Sequence, residues 1–337
     1  MEKTLILSSR LANNMLTQPV ESAEKVLESS LGVQAQYLNH GLFNIMNRLK
    51  DLTNLEAQAL AIGWGQRQTV HYYQADKWLQ IISLLNKEAR WPQQHLLKLG
   101  VQVDESLEIL AAFLKEHGPS SRQAISQLYG EDWQHLSNWS ALFLEGSRRG
   151  QLLMRRSSFA STDVLIEWRD QPVIQSGEAL QLALLKDYFK AYGPASKGDA
   201  AHFFGVRQTF FTLDFDKYFA QMDGLYYTQL NETALPEVQL LGKFDPLLVA
   251  YRDKALMFDV ADHAKIWKKA GQISALLLIH GKLAGTWRYQ MSGRQLTFYV
   301  STQQNLLKRQ KLAIEQVFSQ FAKLMLKEIK AVIYDKI

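Results

Sequence analysis

The sequence predicts an α+β protein, built of tandem winged-helix units, a β-rich C-terminal domain and a C-terminal helix. Three observations predict it. A helix–turn–helix pattern with a Gly-Pro-x-Ser turn occurs twice. From Val238 onward, apolar runs of strand length replace helical spacing. A last amphipathic stretch then closes the chain.

The repeat is direct. Lys115-Glu116-His117-Gly118-Pro119-Ser120-Ser121-Arg122 aligns with Lys190-Ala191-Tyr192-Gly193-Pro194-Ala195-Ser196-Lys197. Helical patterns precede both copies, through Leu107, Leu110, Ala111 and Leu114, and through Leu182, Leu185 and Phe189. Glycine is expected to end each helix in a left-handed conformation, and serine to cap the next. Short helices are expected over 123–128 and 199–204. A longer helix (138–145) and a hairpin (151–156 with 164–168) follow the first copy. A helix over 215–222 and a strand over 225–230 follow the second. Helix, turn, short helix, longer helix, hairpin is the order of a winged helix.

The N-terminal third reads as a third copy without the Gly-Pro-x-Ser turn. Helices are expected over 23–31 and 55–62, and a strand over 69–73. The C-terminal part reads as strands over 238–241, 255–260, 273–279, 283–288 and 295–300. Tight turns fall at His280-Gly281-Lys282 and Met291-Ser292-Gly293-Arg294. A helix over 305–329 closes the chain. The expected units are 1–90, 91–170, 171–236 and 237–337.

Composition narrows the function. The 337 residues contain no cysteine, which excludes disulfides, cysteine zinc sites and iron–sulfur clusters. No long apolar run suits a membrane span, and the first residues lack a signal-peptide core, so a cytoplasmic protein is expected. The net charge of +5 permits a polyanionic partner without requiring one. The eight histidines show no metal-ligand spacing, so no metal is expected. Gly63-Trp64-Gly65-Gln66-Arg67-Gln68 lacks the third glycine of a dinucleotide fingerprint. No Walker loop, Gly-x-Ser-x-Gly elbow or His-Glu-x-x-His motif occurs, so no cofactor is expected.

Gln34-Ala35-Gln36, just after Gly32, is the stretch with chemical promise. Each glutamine offers a carbonyl acceptor and an amide donor. The pair is either plain surface or a device for holding a water and a polar ligand. In an extended segment both side chains share one face; in a helix they diverge.

Several segments in order resemble one family: Leu31-Gly32-Val33-Gln34-Ala35-Gln36, Arg67-Gln68-Thr69-Val70-His71, Tyr192-Gly193-Pro194-Ala195-Ser196 with Asp199, the run Leu240 to Lys254 that contains Phe244-Asp245-Pro246, and Gly281-Lys282-Leu283-Ala284-Gly285-Thr286-Trp287-Arg288. The chain resembles the bacterial tandem winged-helix proteins that include DNA glycosylases acting on interstrand crosslinks and bulky N7-alkylguanine. The resemblance implies a cofactor-free hydrolase whose partner is duplex DNA with alkylated bases. It implies a Gln-apolar-Gln catalytic signature, matched by Gln34 and Gln36. The family commonly has glycine at the position of Gln68, which leaves the shape of the segment before His71 open.

His71 is a candidate contact to substrate, set against a structural strand histidine. Asp245 is a second candidate, set against a turn residue that bonds its own backbone. A winged helix places a helix near a groove and a basic wing on the backbone. The candidate DNA contacts are Arg122 and Lys197 at equivalent repeat positions, Arg148, Arg149, Arg155 and Arg156 around the hairpin, Arg207 after the second short helix, and Arg252 and Lys254. Each is set against a generic basic surface. A non-catalytic DNA-binding regulator and a protein-interaction scaffold remain as alternatives.

Overall fold

The computed structural model describes residues 2–53, 55, 60–86, 91–170 and 177–336. One order of elements occurs three times: helix, short strand or single β-bridge, one or more helices, hairpin. The first instance runs from the helix Ala23–Ser29 through β1 (Val33–Gln34) and the helix Leu38–Met46 to β2 (Ala61–Trp64) and β3 (Val70–Tyr73). The second runs from Val103–His117 through β4 (Ser120–Ser121), Arg122–Tyr129 and Ala141–Arg148 to β5 (Leu152–Arg156) and β6 (Val164–Trp168). The third runs from Glu178–Tyr192 through Lys197–Phe204 and Phe215–Tyr218 to β7 (Ala220–Met222) and β8 (Leu225–Tyr227). In each, the residue after the Gly-x step pairs antiparallel with the last hairpin strand: β1 with β3, β4 with β6, and Ala195 with Tyr226.

The first two instances share one six-stranded sheet, ordered β1-β3-β2-β5-β6-β4. Ile62 is its hinge, paired with Tyr72 on one side and Met154 on the other. The third instance packs an aromatic core of Tyr188, Phe189, Tyr192, Phe203, Phe204 and Phe215. The same core takes in Leu31 and Tyr73 of the first. The helix Lys3–Asn13 ties down the second Gly-Pro turn: Arg10 donates to Pro194 O at 2.7 and 3.0 Å, and Asn13 to Gly193 O at 2.9 Å.

The C-terminal part is a second sheet, ordered β13-β12-β11-β10-β9. Its strands are β9 (Val238–Leu241), β10 (Ala275–Ile279), β11 (Lys282–Ser292), β12 (Gln295–Thr302) and β13 (Glu328–Lys336). The helix Lys308–Leu324 lies on it, with Phe318 stacked on Phe298 at 4.1 Å between centroids. No helix among the described residues is long and apolar enough to cross a membrane.

Four sequence expectations need correction. Residues 61–62 of the expected helix 55–62 belong to β2, because Ile62 is a fully buried central sheet residue. Residues 56–59 lie outside the described residues. The helix expected over 215–222 stops at Tyr218, and the chain turns extended so that Phe219 packs on Phe189 at 4.7 Å. Residues 255–260 form turns rather than a strand: Met257 and Phe258 both bond to Lys254 O and bury their side chains. The closing helix stops at Leu324, Leu326 takes φ 53°, and Glu328 starts a parallel strand on β12.

The turns differ as well. Gly118 ends its helix at a positive φ of 73° but with ψ −166°, outside the left-handed helical conformation expected, and Gly193 sits at φ −67° before a cis proline. Ser121 and Ser196 cap the following helices, Ser196 in a capping box with Asp199.

Candidate active site

Gly32 starts the site. It stands at φ +89°, and a Cβ there would lie 2.3 Å from the Tyr73 ring. The chain then enters β1, with Gln34 opposite His71 on β3. Ala35 N donates to Val70 O at 2.8 Å, which carries the extension past Gln34. The condition for a shared face is therefore met. Gln34 Nε2 lies 3.4 Å from Gln36 Oε1, a long contact between side chains two residues apart. Gln34 is buried and Gln36 is exposed, so the pair runs from the interior to the surface.

The turn between β2 and β3 supplies the anchor. Gln66 donates from its side chain to Leu31 O at 2.7 Å and accepts from Tyr73 OH. Arg67 follows at φ 55° and reaches back across the sheet edge. Its Nη2 donates to Gln34 Oε1 at 2.8 Å, and its Nη1 to Phe203 O at 2.6 Å. Burial lowers the Arg67 pKa to about 10, so the guanidinium stays charged at neutral pH.

His71 is buried behind the pair. Its Nδ1 lies 2.9 Å from Thr69 O. Burial, then the charge of Arg67, pushes its pKa down to about 3. It is a neutral imidazole at pH 7, held by its own strand. Beside Gln36, Tyr37 is exposed. Its hydroxyl donates to Gln272 Oε1 at 2.8 Å, and Lys243 Nζ sits 4.5 Å from its ring centre.

Asp245 is not at this surface. It is fully buried, its oxygens accept from Arg48 at 2.8 and 2.9 Å, and it caps the helix Pro246–Val249 through Leu247 N. This is the turn-residue reading with an ion pair added.

The basic residues divide into two groups. Arg156 is buried, donating to Asn39, Phe159 O and Ser161 O, so its charge is held inside. Arg148 and Arg149 both grip the buried Glu145. Arg148 ends and Arg149 caps the helix Ala141–Arg148, which is buried from Ala141 to Ser147 and offers no groove-reading face. Arg122, Arg155, Arg207 and Arg252 are exposed. Arg122 donates to Ser140 Oγ at 2.6 Å, and Arg155 lies 3.7 Å from Glu167. Lys254 is half-buried over the Trp267 ring at 4.4 Å. Lys197 and Arg252 line one open cleft of about 570 Å³, joined through Asp199, whose Oδ1 accepts from Arg252 N and Asp253 N.

A family model described as DNA glycosylase AlkZ-like matches residues 27–324. The chain belongs to the AlkZ-like DNA glycosylase family. It is therefore a hydrolase of DNA repair, and the regulator and scaffold alternatives fall away. The fold of this AlkZ-like chain is similar to that of Streptomyces sahachiroi DNA glycosylase AlkZ, with a TM-score of 0.74 at 17% identity over 98% of this chain and 100% of that one. Comparison with curated proteins finds no match.

Sequence reasoning missed Arg67, Tyr37 and Lys243. Arg67 lay inside a segment already singled out, but its bond to Gln34 spans 33 residues, a distance no local spacing encodes. Tyr37 had a signal: an aromatic residue directly after the glutamine pair.

Proposed function

We propose that this glycosylase releases alkylated purines from duplex DNA, N7-alkylguanine foremost and interstrand crosslinks among them. Gln34 and Gln36 are the pair that does it. The observation that carries the reading is the contact of the two amides at 3.4 Å, one anchored inside and one open to solvent.

The chemistry suits uncharged groups. N7-alkylguanine already carries positive charge, so it leaves C1′ as a neutral base without a general acid. Water then adds to C1′ and loses its proton. The amides orient that water and offer partial negative charge to the sugar cation. Burial makes His71 a weak base, so no proton transfer is assigned to it. The rate is accordingly expected to change little between pH 6 and 8. An exposed Gln36 also suits a crosslinked base, which cannot swing into a closed pocket.

Lys197, Arg207, Arg252 and Lys254 are the proposed phosphate contacts, with Arg122 and Arg155 on the second repeat. They read charge rather than sequence. The test is base release from a duplex carrying N7-methylguanine under single turnover. Gln34→Ala and Gln36→Ala are each expected to slow release about 100-fold, by analogy with loss of one preorganised polar group, while Kd for the duplex holds. Wild-type rates in both variants would remove the pair from the mechanism.

A further inference from the structure

We infer that Arg67 is a positioning residue of this site: it fixes the orientation of the Gln34 amide, so that Gln36 presents the remaining lone pair of its carbonyl to water and the sugar. The inference rests on the proposed role of the glutamine pair.

Arginine has donors and no acceptor. The Gln34 atom that lies 2.8 Å from Arg67 Nη2 is therefore the carbonyl oxygen and not the amide nitrogen. The nitrogen then faces Gln36 at 3.4 Å, and only an oxygen there can receive its hydrogen. The two glutamines are not equivalent. The Gln34 carbonyl has its partial charge offset by a cation, and Gln34 serves as the link. The Gln36 oxygen keeps a lone pair on an exposed side chain.

Arg67 is itself held on three sides. Its backbone sits at φ 55°, ψ 15°, a left-handed conformation that persists only where the surroundings over-determine it. Its Nη1 donates to Phe203 O at 2.6 Å. Gly205, at φ +74°, lets the two backbones meet: a Cβ there would lie 2.8 Å from Arg67 N and 2.9 Å from its Cα. The hairpin turn of the first winged unit thus docks on the third unit, and one guanidinium ties that unit to the glutamine pair.

The test uses the full chain and an N7-methylguanine duplex. Arg67→Ala is expected to slow single-turnover release about 100-fold, the scale of a misplaced reacting group, while Kd and its salt slope stay at wild-type values. Added methylguanidinium should restore part of the rate in Arg67→Ala and none of it in Arg67→Ala/Gln34→Ala, a dependence that a merely structural arginine does not produce. A wild-type rate in Arg67→Ala overturns the inference. So does a loss that tracks weaker binding with a smaller salt slope, or a rescue indifferent to Gln34. Gln34→Glu guards against a variant that fails to fold. It keeps an acceptor for Arg67 and removes the donor to Gln36, so it should be folded and slow, and a wild-type rate again overturns the inference. If Gln34→Ala and Gln36→Ala both keep wild-type rates, the role of the pair fails; if they slow and Arg67→Ala does not, only the role of Arg67 fails.

Discussion

Gln68 holds φ 56° in the hairpin turn, directly after Arg67 at φ 55°. Side chains adopt this region at a cost of about 1–3 kcal/mol, and glycine adopts it freely. The backbone there suits glycine, the residue the resemblance implies at this position, and Gln68 stands in its place with a bond from Trp91 Nε1 to its side chain. Gln68→Gly should hold or raise stability within about 1 kcal/mol, whereas β-branched Gln68→Val should lose about 2 kcal/mol in a urea melt. His71 gives a second prediction. Its folded pKa of about 3 lies below the unfolded value of 6.5, through burial first. Between these values the unfolded chain binds the extra proton, so stability present above pH 6.5 is lost as pH falls toward 3. The melting temperature should drop from pH 7 to pH 4.5, and the drop should be shallower in His71→Gln. An equal drop in both would assign the acid sensitivity to other groups such as buried His40. Residue by residue, the sequence was legible where a local rule sufficed. The i, i+2 geometry of Gln34 and Gln36 follows from extension alone. Arg67 depends on a third unit folding against the first, and its role could not be read.

Element by element, the repeat was the readable part. Serine caps and short helices follow from the Gly-Pro-x-Ser turn at both copies. Elements whose state is set by distant partners were not readable. Residues 61–62 carry a helix-compatible pattern, yet Ile62 is drawn into the sheet by Tyr72 and Met154. β13 looked like the tail of a helix, because Ile329 continued an apolar spacing that Leu326 breaks at φ 53°. β13 covers the edge of β12 over eight residue pairs, from Gln295–Glu328 to Thr302–Lys336. Truncation after Lys327 leaves that edge open. It should lower the melting temperature and promote aggregation on light scattering. Unchanged melting would mean that β13 is peripheral to the C-terminal sheet.

The molecule as a whole joins its units through buried polar ties. Arg48, past the end of Leu38–Met46, meets Asp245 of the C-terminal part, and both side chains are fully buried. Breaking such a pair leaves an uncompensated charge inside. Tyr192 OH donates to Ser30 O at 2.6 Å, so the third unit reaches the segment that leads into β1. This tight assembly explains why a basic residue's place in a winged-helix pattern did not reveal its exposure. Arg156 sits in the expected wing and points inward, while Lys197 and Arg252, distant in sequence, share a cleft. Lys197→Ala and Arg252→Ala should each reduce duplex affinity several-fold and flatten the salt dependence by about one phosphate contact. An unaltered slope in the double variant would place the DNA elsewhere. The most direct measurement is single-turnover base release from an N7-methylguanine duplex by wild type and by the Gln34→Ala/Gln36→Ala double variant. Abasic product is expected from the wild type, with little or none from the variant at equal DNA binding. Equal product from both would contradict the role of the pair.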